Sequence, residues 1–438
     1  MALKQTEIFE LFFDESNYTP LFVQTAVAAA CGMVKGKRCY AICQSGEAIH
    51  PKDAFRMAEL LQLAAKTGNP VVTFYHSVGV TLEQGLEALQ ATSHLTQTIG
   101  EISGVIPQIA VVVGVCGGTA AIQAGSADLC LMAKQGQLFL TPPFTSSANG
   151  DKLEGAGSAE FAEKAGIAAV VYETEEQTIL AAKDVIMLLP ANNLDNGNQL
   201  DYAAPQIPLD MADYCRIRAG ASLIDHDRDM ELFPNYGKRN SYTAFGTIEG
   251  KTVGVVATSD RCLEHESVAK IARFVRLCDT YSIPVITLVH SKGFEKSSSE
   301  DLAGGIREAA RLACTYADAT TAKIAILAGN VIGPVYTALC SADLTIALQG
   351  CTVAPLEPKA MVNILFEQEL KDQPIQSAEQ KAKQYAEECC SAQAVMEQGL
   401  AQLQADTSTL RTTVAAALEM LQSKRGKRLA KKHGNMAL

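Results

Sequence analysis

Apolar residues occur in long blocks along the chain, and the same order of blocks is found twice. In the first half, the mainly apolar runs at 70–75 and 108–113 are typical of strands buried on both faces of a sheet. Apolar residues at helical spacing over roughly 53–67 and 267–281 predict an amphipathic helix ahead of such a run in each half. Each half therefore predicts the order β-β-α-β-α-β-α-β, which is an α/β layered fold.

The two halves are related by an internal repeat with a spacing of 214 to 215 residues. Residues 70–79 recur as residues 284–293 with six of ten positions identical. Further along each half, the tetrapeptide Ser-Ala-Asp-Leu occurs at 126–129 and again at 341–344. A period this long indicates duplicated domains rather than a solenoid of short repeats. We expect an N-terminal domain over 1–205 and a C-terminal domain over 206–438.

Composition and charge exclude several classes of protein. The chain has 438 residues, with 37 Lys and Arg against 48 Asp and Glu, a net charge of −11 that argues against a nucleic-acid partner. The hydrophobic fraction of 48% excludes general disorder. The thirteen cysteines include no C-x-x-C pair, so we predict no metal site and interpret the thiols as reduced, in a cytoplasmic protein.

Two segments without charge, 102–127 and 324–342, raise the question of a membrane span. Both contain Pro and several Gly in the middle, and both change from β-branched to Ala-rich halfway along. A strand, a Gly loop and a buried helix account for this pattern better than one spanning helix. We therefore expect a soluble protein with no membrane span.

The chemistry common to both halves lies in the backbone. A strand leads into the first Gly loop (residues 114–119) and into the second Gly loop (residues 329–334), and a helix follows each loop directly. Glycine leaves backbone N–H groups uncovered, and such groups can hold an oxygen that gains negative charge during a reaction. The motif alone favours a purely structural interpretation, in which Gly permits close packing of helix on strand. The duplication favours a functional one.

Two histidines, His76 and His290, occupy the same repeat position at the end of a buried strand. A general acid/base role is one interpretation. Structural histidines that anchor the neighbouring loops are the alternative, and the sequence favours this one.

Five segments indicate a family. Over nearly its whole length the chain resembles the carboxyltransferase subunits of biotin-dependent acyl-CoA carboxylases and decarboxylases, such as the propionyl-CoA carboxylase β and the glutaconyl- or methylmalonyl-CoA decarboxylase α subunits. The segments that carry the resemblance are 104–109, 189–193, 272–279, 283–289 and 432–435.

The resemblance implies two tandem crotonase-like domains, each a ββα superhelix, in a homo- or hetero-oligomer between a dimer and a hexamer. In that family a carboxyl group moves between carboxybiotin and an acyl-CoA through an enolate held by backbone oxyanion holes. The coenzyme A thioester is the substrate of the first domain. Biotin enters the second domain on a biotin carboxyl carrier protein, and biotin carboxylase or decarboxylase subunits are the further partners.

The resemblance also assigns residues. It places the first oxyanion hole at Gly117, Gly118 and Thr119, and the second at Gly333 and Val335. The residues expected to contact the substrates are His76, Ser77, Gly79, Cys116, His290 and Pro334.

The chain departs from the family pattern at both sites. Residues 76–81 read His-Ser-Val-Gly-Val-Thr where the family has Asp-Ser-Gly-Gly-Ala-Arg, and the second Gly loop lacks the family's Arg-Lys pair. Pro334 has no N–H, so the second hole is expected to lack one donor. These departures leave two alternatives open: a CoA-binding structural subunit paired with an active paralogue, or a biotin-independent crotonase-type decarboxylase.

Overall fold

A computed structural model describes residues 3–23, 26–150, 153–197, 199–205, 223–238, 240–371, 374–426, 430–431 and 435. The chain divides into two compact units, unit 1 over Met1–Asn198 and unit 2 over Gln199–Leu438. Most of the segment 432–435 that contributed to the resemblance lies outside the described residues.

Unit 1 is built on one large sheet and one small ladder. Its strands are β1 (Tyr18–Val23), β2 (Val27–Val34), β3 (Lys37–Gln44), β4 (Val71–Tyr75), β5 (Gln108–Val112), β6 (Val115–Gly117), β7 (Leu129–Ala133), β8 (Gln137–Phe139) and β9 (Val170–Tyr172). The helices are α1 (Gln5–Phe12), α2 (Pro51–Thr67), α3 (Gly85–Glu101), α4 (Thr119–Gly125), α5 (Pro143–Ala148), α6 (Ala159–Lys164) and α7 (Glu175–Leu188). The sheet order is β1-β2-β3-β4-β5-β7-β9, and β6 pairs separately with β8.

Unit 2 repeats this plan. Its strands are β10 (Met230–Glu231), β11 (Ser241–Ile248), β12 (Lys251–Thr258), β13 (Arg261–Leu263), β14 (Val285–Phe294), β15 (Lys323–Ile332), β16 (Leu344–Leu348), β17 (Thr352–Ala354) and β18 (Leu403–Ala405). The helices are α8 (His265–Thr280), α9 (Ser298–Ala303), α10 (Gly305–Asp318), α11 (Pro334–Leu339), α12 (Pro358–Leu365), α13 (Glu367–Leu370), α14 (Ile375–Cys389), α15 (Ala392–Glu397) and α16 (Leu410–Leu421). The sheet order is β10-β11-β12-β14-β15-β16-β18, with β13 on β14 and β17 on β15.

The direction of the strands positions the Gly loops. In each unit an antiparallel hairpin, β2-β3 or β11-β12, is followed by parallel strands. The carboxyl ends of the parallel strands lie at one edge of each sheet, which is where ligands bind in α/β folds. The segments after β4 and β5 lie at this edge in unit 1, and the segments after β14 and β15 lie there in unit 2.

Helix α2 shows how the sequence selects an element. Pro51 is its first residue and Gly68, at φ 65°, caps its end in the left-handed conformation that glycine adopts without strain. Between these ends, Ala54, Met57 and Leu61 recur at helical spacing and are buried in the core of unit 1. Within the described ranges, no helix combines the length and apolar character needed to cross a membrane.

Burial strongly affects the thiols. None of the twelve cysteines in the described part of the chain is in a disulfide. Burial raises the pKa of Cys340 to about 12 and that of Cys351 to about 11. It also raises the pKa values of Cys39 and Cys278 well above the ordinary thiol value. Above about pH 9 the unfolded chain loses thiol protons that the folded chain keeps, so these groups destabilise the fold as the pH rises.

Two buried lysines act in the opposite direction. Burial lowers the pKa values of Lys37 and Lys270 to about 8, although the Lys37 ammonium donates to the Leu189 carbonyl at 2.6 Å. Between pH 8 and roughly 10, the unfolded chain binds protons that these lysines release when folded. Their contribution to stability therefore increases with pH in that range.

We expect the free energy of unfolding to fall as the pH rises above about 9, because the buried thiols outnumber the buried lysines. Each protected thiol contributes a slope of about 1.4 kcal/mol per pH unit. Urea unfolding under reducing conditions at several pH values measures the slope. Cys278→Ala should reduce it, whereas Cys314→Ala, at an exposed thiol, should leave it unchanged. A stability that does not change with pH in this range would contradict the expectation.

Candidate functional site

The two Gly loops share one backbone conformation. Gly118 has φ 59° and ψ −124°, and Gly333 has φ 67° and ψ −140°. A side chain makes this region of backbone space unfavourable, so glycine is required at both positions. Each loop therefore turns in the same way from its strand into its helix.

The N–H groups of these two glycines are used by the fold. The Gly118 N–H donates to the Phe139 carbonyl at 2.9 Å, and the Gly333 N–H donates to the Ala354 carbonyl at 2.9 Å. Each bond continues a parallel ladder, β6-β8 in unit 1 and β15-β17 in unit 2. Because these two N–H groups already have acceptors, the structure favours the neighbouring N–H groups as donors, and the place of Gly118 and Gly333 in the oxyanion holes stays a prediction.

Gly117 also has a packing role. A Cβ atom at this position would lie 2.6 Å from Cε2 of Phe139, a separation that real Cβ contacts do not show. The absence of a side chain therefore lets the Phe139 ring lie against the first Gly loop.

The donors that remain differ between the loops. In unit 1, Thr119 is the first residue of α4, and the first N–H groups of a helix have no acceptor within the helix. The Ala121 N–H turns back to the Gly118 carbonyl at 3.1 Å. In unit 2, Pro334 occupies the position of Thr119 and has no N–H, so Val335 carries the first N–H of α11. The first Gly loop thus has one more backbone donor than the second.

An open groove lies in front of the first Gly loop. It has a volume of about 410 Å³. The residues that line it are Leu89, Thr92, Ser93, Thr96 and Gln97 of α3, together with Thr119. The lining carries hydroxyl and amide groups and no charge, so a neutral carbonyl group can approach Thr119 without crossing packed side chains.

The two repeat histidines pack against the strands that lead into the Gly loops. The His290 Nδ1 accepts the Asn330 N–H at 2.8 Å, and burial lowers the pKa of His290, so the ring is neutral near pH 7. In unit 1, a Cβ atom on Gly114 would lie 2.3 Å from Cδ2 of His76. This geometry favours the interpretation of both residues as loop anchors.

Ser77 and Gly79 form a turn beside the first Gly loop. The Ser77 hydroxyl donates to the Glu47 carbonyl at 2.9 Å and accepts the Gly79 N–H at 3.0 Å. Gly79 has φ 112°, and its counterpart Gly293 has φ 113°. The Ser77 hydroxyl is buried and engaged by the backbone, so it shapes the loop. Contact with a substrate through this hydroxyl is not favoured.

Cys116 does not offer its side chain to a substrate. The residue is fully buried in a core cluster with Tyr75 and Cys130, and burial raises the pKa of its thiol well above the ordinary value. Because apolar neighbours enclose the side chain, the expected contact of Cys116 with a substrate stays a prediction for its backbone alone.

Sequence reasoning missed a polar cluster beside the second Gly loop. The Lys292 ammonium lies 3.1 Å from Oδ2 of Asp260, and the Asn330 side-chain amide donates to Oδ1 of Asp260 at 3.1 Å. Burial alone would raise the pKa of Asp260, but the hydrogen bonds from Asn330 and Lys292 lower it below the ordinary value.

A comparison of the repeats would have revealed this cluster. The positions that correspond to Asp260, Lys292 and Asn330 in the first half hold Gly46, Val78 and Val115. Uncharged residues in one copy and polar or charged residues in the other are a signal that the two sites differ in the groups they bind.

The chain matches the sequence profile of the carboxyl transferase domain over residues 5–436. It is 29% identical over 443 residues to the methylmalonyl-CoA decarboxylase subunit alpha of Propionigenium modestum, covering 94% of this chain and 86% of that protein. It is 28% identical over 437 residues to the methylmalonyl-CoA carboxyltransferase 12S subunit of Propionibacterium freudenreichii subsp. shermanii, covering 93% and 83%.

A solved structure shows the same arrangement of elements. The crystal structure of transcarboxylase 12S, described as a hexamer assembly with methylmalonyl-coenzyme A and methylmalonic acid bound, superimposes with a TM-score of 0.92. The two chains are 25% identical, and the match covers 100% of this chain and 92% of that one.

Proposed function

Because the chain belongs to the carboxyl transferase family, we propose that it moves a carboxyl group between biotin on a partner protein and an acyl-CoA thioester. The family and the crotonase-like fold expected from the sequence are confirmed. Relatives named as carboxyltransferases and decarboxylases support the assignment to this class of enzyme.

The observation that carries the proposal is the groove in front of Thr119. The oxygen of a thioester gains negative charge when the acyl group becomes an enolate. Backbone N–H groups that are fixed in place stabilise that charge. Thr119 lines the groove at the start of α4 and is followed by Ala120, so the N–H groups of this turn are the donors we assign. The hydrogen bond from the Gly118 N–H to the Phe139 carbonyl fixes the conformation of Gly118, which directs the chain into this turn.

The second Gly loop fits the ureido group of biotin with fewer backbone donors. Its shape matches that of the first Gly loop at Gly333, and the Val335 N–H is retained. Biotin, when bound, supplies a ring nitrogen that accepts or gives the carboxyl group. The chain's part is to hold the ureido oxygen, and the polar residues at this edge add to the single backbone donor.

We also infer the setting in which the protein works. The biotin would arrive on a biotin carboxyl carrier protein, with biotin carboxylase or decarboxylase subunits as further partners. The hexamer described for transcarboxylase 12S supports an oligomer. Free thiols throughout the described residues support a reducing compartment such as the cytoplasm.

Steady-state assays with malonyl-, methylmalonyl- and glutaconyl-CoA, with and without free biotin, test the proposal. Turnover stimulated by biotin is the expected result. A rate that does not change when biotin is added would favour a biotin-independent crotonase-type decarboxylase. The specific observation in favour of this alternative is the backbone donor missing at Pro334. Acyl-CoA binding without turnover would identify a structural subunit and overturn the proposal.

A further inference from the structure

We propose that Asp260 and Lys292 recognise the cyclic urea at the second Gly loop, with Lys292 donating to its carbonyl oxygen and Asp260 accepting from its ring N–H. The pair would replace the backbone donor that Pro334 removes. This inference rests on the proposed use of biotin, and it assigns side chains to a task that the first Gly loop performs with its backbone.

The pair lies at the edge of the sheet where a ligand is expected. Asp260 follows β12, Lys292 belongs to β14 and Asn330 belongs to β15, all near the carboxyl ends of parallel strands. The Lys292 side chain is 47% exposed and that of Asp260 is 30% exposed. Both groups can therefore meet a molecule that arrives from solvent.

The register of the sheet brings Lys292 next to the second Gly loop. Ser291 pairs with Val331, so Lys292 lies beside Ile332, the residue before Gly333. Neighbouring strands are about 4.8 Å apart, and a Cβ atom on Gly293 would lie 3.7 Å from the Ile332 carbonyl oxygen. The ammonium is therefore carried by the strand adjacent to the loop.

The two side chains retain hydrogen-bonding capacity after they bind each other. An ammonium has three donors, and Lys292 uses one on Asp260. A carboxylate accepts at about four positions, and Asp260 receives one bond from Lys292 and one from Asn330. Neutral His290 adds no charge, and its Nε2 is 3.8 Å from Oδ1 of Asp260. A donor and an acceptor thus remain side by side.

A cyclic urea presents the complementary pattern, because its carbonyl oxygen is flanked by ring N–H groups. A thioester has no N–H beside its carbonyl. The corresponding positions of unit 1, Gly46, Val78 and Val115, accordingly carry no charged or polar side chain. The difference between the two repeats therefore follows the difference between the two ligands.

Direct binding of free biotin to the full-length protein, followed by calorimetry or saturation-transfer NMR, tests the pair without relying on turnover. We expect Lys292→Met and Asp260→Asn each to weaken biotin binding at least about tenfold, while acyl-CoA binding stays unchanged. Lys292→Arg should retain most of the affinity because it keeps a charged donor. The matched control is Lys296→Met, since Lys296 pairs with Glu357 at 3.3 Å and should leave biotin binding intact.

Two results would overturn the inference. One is equal biotin binding by Lys292→Met and Lys296→Met with native circular dichroism. The other is a wild-type protein that binds an acyl-CoA but shows no biotin binding up to the solubility limit. If the wild type instead turns over with biotin and the Lys292→Met variant matches it, the carboxyltransferase proposal stands and only the role of the pair fails. If Lys292→Met does not fold, Lys292→Arg compared with Lys292→Gln decides the question.

Discussion

Replacing Gly118 with alanine is expected to lower the rate of carboxyl transfer by about 10²–10³-fold, the usual cost of losing one oxyanion donor. A Cβ atom at Gly118 would meet no atom within 4 Å, so the effect is conformational and not a clash. At φ 59° and ψ −124°, alanine is strained by about 1–3 kcal/mol. Relief of this strain would rotate the peptide and displace the Thr119 N–H, which is one of the donors we propose.

The control for this experiment is Gly36→Ala. Gly36 also has a positive φ, of 76°, and open space around a Cβ atom, but it lies in the turn between β2 and β3. We expect a comparable loss of stability in urea unfolding and no change in kcat. A Gly118→Ala enzyme with native kcat would remove the first Gly loop from the mechanism.

Replacing Pro334 with alanine is expected to raise biotin-dependent turnover by about tenfold or more. Alanine restores an N–H at the first position of α11, where the N–H has no acceptor within the helix and can meet a ligand. A single oxyanion donor is worth up to about 10²–10³-fold, and we expect less than this because Lys292 already supplies one. The gain should appear in kcat for the biotin half-reaction.

The matched control is Pro358→Ala, because Pro358 is the first residue of α12 in the same unit. It changes proline to alanine at an equivalent helix position and should leave turnover unchanged. If Pro334→Ala gives no more turnover than Pro358→Ala, the second Gly loop does not stabilise an oxygen on biotin.

The elements of both units were accessible from the sequence because their signals are local. The helices expected over 53–67 and 267–281 are observed as Pro51–Thr67 and His265–Thr280. The early starts reflect end effects that periodicity does not show, such as a proline in the first turn. Strand β15 continues to Ile332 because β17 pairs with its second half, and this pairing was not visible in the sequence.

The availability of donors was not accessible from the sequence, because it depends on pairing between distant segments. The Gly118 N–H is used by Phe139 and the Gly333 N–H by Ala354, and no local pattern shows these partners. The polar cluster at Asp260 also joins distant segments, namely the loop after β12 and the strands β14 and β15, and the comparison of the two repeats is the sequence signal for it.

Strand β8, whose Phe139 carbonyl accepts the Gly118 N–H, lies outside the large sheet of unit 1 and pairs with β6. The Leu138 N–H donates to the Gly157 carbonyl at 2.9 Å, and a Cβ atom on Gly157 would lie 2.9 Å from Pro143. A change in this outer segment would shift Phe139 and with it the turn formed by Gly118 and Thr119. An insertion or deletion in this outer segment can therefore alter the first Gly loop while every residue of the loop stays the same.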